Sequence, residues 1–344
     1  MDFMLDINIP SPRTRINYQN RILLTGSCFT AHIGNSLAEL KFNVLQNPNG
    51  ILFDPRSVAY GIVSYIQNKQ YTKDDLFYLN EVWNSWQHHS IFSHTDAQEC
   101  LNMINRSQQQ AHDFLKKADW LIVTLGSSFS YHVTQDSADN LPVANCHRAP
   151  GQWFRKHMMT IEEINSALDG CLHQLWQFNP DVKVIFTVSP VRHIRDGVTE
   201  NNRSKARLIE VVHHLVNKFD NIYYFPAYEL VIDVLRDYRF YDIDMVHPNY
   251  AATDFVLEKF VTNFIDDPSQ ALMQDIRKIV IARKHKAFQP STNAHRQFLQ
   301  AHLEKAKALQ QQNPFLDLKD ELQYFETGEN PPASPAISTG SMRG

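Results

Sequence analysis

The sequence predicts a three-layer α/β/α fold around a central five-stranded parallel sheet of the flavodoxin-like kind, and three observations carry that expectation. Five apolar, β-branched runs recur along the chain: RILLTG (21–26), FNVLQN (42–47), WLIVTLG (120–126), VKVIFTVSP (182–190) and IYYFPA (222–227). Runs with so few polar positions read as strands buried on both faces. Between them lie segments of helical periodicity at 29–40, 54–67, 95–118, 160–178 and 201–218, with another at 250–265 after the last strand. Strands alternating with helices wind into a parallel sheet. Finally, 344 residues are enough for one large domain of this class with attachments, burying about three-quarters of the unfolded surface.

Taken in chain order, the first strand runs through Gly26-Ser27 directly into the first helix. A strand order of 2-1-3-4-5 puts the ends of the first and third strands at a topological switch point, where ligands collect. The α/β domain is expected over residues 1–265, interrupted by an insertion at about 69–95 whose Trp83, Trp86, His88 and His89 lie over the site. Residues 266–313 read as appended helices that pack on the core or on a second subunit. Residues 314–344, rich in Pro, Ser and Gly toward their end, read as an extended or disordered tail. No internal repeat is evident.

Bulk properties narrow the function. A net charge of −4 and a pI near 6.5 give no argument for nucleic-acid binding. The basic run RKIVIARKHKAF (277–288) reads as a solvated helix face. The amino-terminal MDFMLDINIPSPRTR lacks a basic-then-apolar signal pattern, and no apolar run reaches the length of a membrane helix. The four cysteines, Cys28, Cys100, Cys146 and Cys171, show neither disulfide nor zinc spacing. These features lead to the expectation of a cytoplasmic protein without membrane or nucleic-acid partners and without a cofactor.

Two segments carry the chemistry. Ser27 stands where a strand ends and a helix begins, beside free helix N–H groups that favour a developing anion; the alternative is a serine that merely caps the helix. Far downstream, Asp244-x-x-His247-Pro248 precedes another helix, which Asn249 can cap. Asp and His three apart on a tight loop can hydrogen-bond through Nδ1, leaving Nε2 to take a proton from a nucleophile. Together the two segments suggest a Ser27–His247–Asp244 hydrolase. Cys28, intrinsically the better nucleophile, is one residue further on and is expected to turn toward the sheet as a small core residue.

The stretches GSCFT (26–30), NPNGILFDPRSV (47–58), WNSWQHHSIFSH (83–94), TLGSSFSY (124–131), ANCHRAP (144–150), TVSPVRHIRDG (187–197) and the segment ending DIDMVHP (242–248) resemble the GSCFA family. More broadly, Ser27 with Asp244-x-x-His247 resembles the SGNH, or GDSL-like, hydrolases. The resemblance covers roughly residues 20–265 and implies a serine esterase, acting on a small acyl ester such as an O-acetyl group on a carbohydrate. An O-acyltransferase would use the same triad, and a non-catalytic carbohydrate-binding protein would keep the fold alone.

The departures from that pattern matter. The motif's fifth residue is Thr30, and the third block reads Gly126-Ser127-Ser128-Phe129 where the superfamily has Gly-x-Asn-Asp, so a side-chain amide is missing from the oxyanion hole. The backbone N–H groups of Ser27 and Gly50, with Asn145 or Ser128, are expected to serve instead; a turn glycine and a structural asparagine are the plainer readings. Ser127 shares the corner with Ser128. His147 could hold substrate or pair with Asp244, and His89 could reach in from the insertion. His88, His89 and His94 lack any metal-binding pattern, so no metal is expected. Trp83 and Trp86 could form a sugar-stacking wall or, at i and i+3, simply be core. Arg192 and His193 follow the fourth strand on the ligand side, and the appended helices offer a surface for self-association.

Overall fold

In a computed structural model, residues 4–134, 141–285 and 288–330 are described. The central sheet consists of β1 (Arg21–Gly26), β2 (Asn43–Gln46), β5 (Trp120–Leu125), β8 (Lys183–Val188) and β9 (Ile222–Tyr224). All pairs are parallel and the order is β2-β1-β5-β8-β9, which is the 2-1-3-4-5 arrangement the sequence suggests. Alternation along the strands divides the core. Ile22, Leu24, Ile122 and Ile185 face one layer, with α1 (Cys28–Glu39) and α7 (Tyr250–Phe264). Leu23, Val123, Val184 and Phe186 face the other, with α2 (Pro55–Gln67), α4 (Ile161–Phe178) and α5 (Val198–Lys218). Burial on both faces is why these strands read as continuous apolar runs.

Local chemistry sets the element starts. Asp54 caps α2, accepting from the N–H groups of Arg56 and Ser57 at 3.1 and 3.0 Å, with Pro55 at the first helical position. Thr160 opens α4 with a capping box closed by Glu163. In the insertion, β3 (Phe77–Leu79) and β4 (Val82–Asn84) form a hairpin turned by Asn80 and Glu81, both at positive φ. The long α3 (Ala97–Leu115) follows it. Neither the β3–β4 hairpin nor the antiparallel pairing of β6 (Phe129–Val133) with β7 (Phe154–Met158) is among the strands expected from the sequence. Strands β6 and β7 are five residues each and lie far apart in the chain, and a partner at that distance leaves no local signal.

After β9 comes a short helix α6 (Ala227–Glu229) that widens into a π-helical stretch, Leu230–Leu235. The carboxyl-terminal part consists of α8 (Asp267–Lys284), α9 (Asn293–Gln312) and α10 (Lys319–Thr327). It packs on the domain: Met273, Ile276, Val280, Leu316 and Leu318 share a core with Phe29 and Leu37 of α1. Helix α10 corrects the expected tail from 314 onward, because Tyr324 and Phe325 bury against Ile279, Ala282 and Ala306. Glu321, 2 % exposed, pairs with Arg283 at 2.9 Å and Lys41 at 2.7 Å and so ties α10 to α8 and to the residue-41 turn. The last part of that expected tail, 331–344, lies outside the described residues. Among the described residues no helix is long and apolar enough to cross a membrane.

The junction of β1 and α1 is the tightest point of the sheet. Gly26 sits at φ +137°, and a Cβ there would come within 2.1 Å of the Thr124 carbonyl oxygen on β5. Gly26→Ala should therefore cost about 3 kcal/mol or more. Denaturant unfolding is the check, and a loss below about 1 kcal/mol would show that the two strand ends can part.

Candidate active site at the carboxyl edge of the sheet

The strand ends assemble around that junction. Asn47 accepts from the Gly26 N–H through its side chain at 3.0 Å, and Leu52 N–H donates to the Gly26 carbonyl at 2.9 Å, so the loop after β2 is folded onto the end of β1. Ser27 is extended, at φ −70° and ψ 174°, and its N–H donates to Thr124 O at 3.1 Å. Its side chain is 1 % exposed, packs against Gly126, makes no cap bond, and leaves Oγ without a hydrogen-bond partner among the described residues. Cys28 is the first helical residue and is partly exposed. Because Ser27 does not cap, the amino-terminal N–H groups of Cys28 and Phe29 keep no acceptor within the helix, and they meet the positive end of its dipole.

Across from α1, the loop before α7 is closed upon itself. Asp244 Oδ1 accepts from the backbone N–H groups of Val246 and His247 at 2.9 and 3.0 Å, while Oδ2 takes Nδ1 of His247 at 2.6 Å. Met245, at φ +57°, makes the turn, and Asp242 N–H donates to the His247 carbonyl at 2.8 Å. Pro248 holds the preceding residue out of the helical region, and Asn249 caps α7 through the Ala252 N–H at 3.2 Å. Arg192 N–H, donating to Val246 O at 3.2 Å, anchors the loop to the segment after β8.

The electrostatics follow from this packing. Backbone donation, first from the His247 N–H, holds the Asp244 carboxyl down at about 2. His247 is pushed up to about 9: the hydrogen bond with the Cys28 side chain is the largest cause, partial burial opposes it, and the bond to Asp244 adds to it. With Nδ1 on Asp244, Nε2 is the nitrogen left for the thiol. The group standing against His247 is therefore Cys28, and Ser27 faces inward. No hydrogen bond joins Ser27 Oγ to His247 among the described residues: Ser27, the last extended residue, is buried, while Cys28, the first helical residue, is partly exposed.

Other expected participants are engaged elsewhere. The N–H groups of Ser27 and Gly50 are not available to an oxyanion: the first is bound to Thr124 O and the second to Asn47 O at 2.7 Å. Gly50 has a steric role instead, since at φ +76° a Cβ would lie 2.2 Å from Cβ of His89. His89 serves the insertion, with Nδ1 accepting from the Ile91 N–H at 3.3 Å. Asn145 spends its carbonyl oxygen on the His147 N–H at 2.8 Å, the plain turn role. His147 is drawn to Ser85 O at 2.9 Å rather than to Asp244, and burial lowers its pKa.

Ser128 is fully buried, its N–H on Ser204 Oγ at 2.7 Å and its own Oγ without a partner among the described residues. Ser127 Oγ lies 3.3 Å from Ser204 Oγ. Trp86 stacks on Phe77 at 3.5 Å and Trp83 tilts against Tyr78 at 5.3 Å, so both tryptophans are occupied with packing. His88 is buried with Nδ1 2.9 Å from Ser85 Oγ.

The site also contains groups that the sequence reading passed over. His32, one turn after Cys28, lies within the field of His247, although burial is the main cause of its lowered pKa. Lys205 of α5 is 1 % exposed and donates to Gly126 O and Ser189 O, both at 2.6 Å. A signal for it existed. Asn201, Ser204 and Lys205 fall on the helix face that carries Leu208, Val211 and Val212, and polar residues heading an apolar stripe mark an end of the sheet where they are needed. His193, which was expected on this side, is held down at about 4 by burial first and by Lys205 and His247 after it.

Comparison with known proteins gives a family and no function. No curated protein matches the chain. The family model described as GSCFA family matches residues 21–260, and that described as GSCFA domain protein, C-terminal domain, matches residues 276–330. The first match alone spans most of the chain, including both Cys28 and the Asp244–His247 loop, and the protein belongs to the GSCFA family.

Proposed function

We propose that the protein is an acyl-ester hydrolase whose nucleophile is the Cys28 thiolate, with His247 as proton carrier and Asp244 as its orienter. The reading is carried by His247, whose Nδ1 is held by Asp244 at 2.6 Å and whose pKa is raised most by Cys28, the partly exposed first residue of α1. A serine mechanism needs a neutral imidazole to accept the hydroxyl proton. An imidazole that keeps its proton up to about pH 9 suits a thiolate–imidazolium pair instead.

In the first step the thiolate attacks the ester carbonyl, and the oxyanion is received by the open N–H groups of Cys28 and Phe29 at the start of α1. Collapse of the intermediate expels the alkoxide, which takes the imidazolium proton and leaves as the alcohol. Neutral His247 then takes a proton from water, hydroxide attacks the thioester, and the acid is released with the thiolate restored. Solvent access favours hydrolysis over transfer to another alcohol: the His247 and Asp244 side chains are 40 % and 47 % exposed, and a transferase has to exclude water. A carbohydrate O-acetyl ester is the substrate class favoured by the resemblance to SGNH hydrolases.

Cys28→Ala should abolish hydrolysis of a short-chain aryl ester, and Cys28→Ser should retain at most about one part in a thousand. Ser27→Ala should keep most of the rate. Full activity in Cys28→Ala would refute the thiol reading, and loss confined to Ser27→Ala would return the nucleophile to the serine.

The pH dependence gives an independent check. The rate should fall as pH rises through about 9, where His247 loses its proton. Asp244 raises that pKa, so in Asp244→Asn the alkaline limb should move to lower pH. An unmoved limb in the pH–rate profile would mean that His247 is not the group titrating.

A further inference from the structure

We infer that Lys205 is a positioning residue of the Cys28 site: its buried amine ties the carboxyl ends of β5 and β8 together beneath the Ser27–Cys28 turn and, when protonated, supplies the positive charge against which the thiolate forms. The inference rests on the reading of Cys28 as nucleophile. A lysine is almost never buried without a partner that repays its desolvation. Lys205 is 1 % exposed, and no carboxylate pairs with it among the described residues. Its two short bonds go to Gly126 O and Ser189 O, the residues that directly follow β5 and β8.

Gly126 is also the residue against which Ser27 packs, the Ser27 Cβ lying 3.3 Å from where a Gly126 Cβ would stand. The ammonium therefore sits one carbonyl away from the floor of the nucleophile turn. Two neutral carbonyls are weak compensation for a buried cation. A thiolate one residue further along is the counter-charge the site otherwise lacks.

The surrounding charges fit. Burial lowers the Lys205 pKa to about 7; Cys28 on α1 raises it, and Arg192 from the loop after β8 lowers it further. His193 on the same loop is kept neutral at ordinary pH, by burial and then by Lys205 and His247, so it adds no competing cation. Thiol and ammonium are thus coupled, and coupling between two sites is reciprocal.

Two measurements test this. The first is the rate of alkylation of Cys28 by iodoacetamide across the neutral pH range, located by peptide mapping, in the wild type, Lys205→Gln and Lys205→Met. Gln keeps donors for the two carbonyls but removes the charge. Both variants should react about tenfold more slowly at mildly acidic pH, with the difference closing as pH rises. A folded Lys205→Gln protein with a lower Tm and an unmoved pH profile would make the lysine purely structural and overturn the inference.

The second measurement needs no change at Lys205: the titration of its side-chain carbon and nitrogen NMR signals in wild type and Cys28→Ala. Lys205 should lose its proton at lower pH once the thiol is gone. An identical titration would overturn the inference even if both lysine variants failed to fold. A Cys28 that is unreactive in the wild type would instead count against the nucleophile assignment, and the NMR comparison would still decide the coupling.

Discussion

The close approach of Gly26 to the Thr124 carbonyl is the contact on which the rest of the site depends. With no Cβ at Gly26, β1 and β5 stay paired as far as Gly26 and Thr124. The Ser27 N–H can then hook onto Thr124 O, which directs the serine side chain into the layers and starts the helix at Cys28. A side chain at position 26 would push the strand ends apart, and the helix would begin at another angle. The absence of a methyl group at Gly26 thus lets the extended backbone of Ser27 pass directly into α1. The same approach brings Gly126 within reach of Lys205 from the far layer, so both helical layers converge on one turn.

The Asp244–His247 loop meets that turn with almost all of its own polar groups satisfied internally. Asp244 accepts three hydrogen bonds, and its low pKa comes first from the His247 backbone N–H, with the imidazole and the Val246 N–H after it. A carboxylate held against Nδ1 by the loop's own hydrogen bonds keeps the His247 ring oriented without the loop rearranging.

Much of this was legible in the sequence. Strand sites, helix sites and sheet order follow from periodicity because both faces of β1, β5 and β8 are buried, which leaves the pattern unambiguous. The Asp-x-x-His spacing was legible because its hydrogen bonds are local. What was not legible depends on dihedral angles or on distant partners. Telling the buried Ser27 from the partly exposed Cys28 requires knowing where extended backbone gives way to helix, to within one residue. Asn145 and Gly50 looked available because their partners, the His147 and Asn47 backbone groups, become neighbours only once the turns have formed. Helix α10 was obscured by the Pro- and Ser-rich stretch that follows it, although Leu318, Leu322 and Phe325 already carry an apolar face.

The altered third block takes on a different meaning in this setting. A side-chain amide at that position would complete an oxyanion hole for a serine enzyme, yet here Ser127 and Ser128 turn toward Ser204 and are buried. They line the approach of α5, the helix that delivers Lys205. The corner that elsewhere would hold a neutral donor above the sheet instead admits a cation beneath it. On the proposed thiol mechanism, a cation below the turn and an imidazolium beside it would favour negative charge on sulfur before any substrate arrives, whereas an amide would act only once the oxyanion has formed.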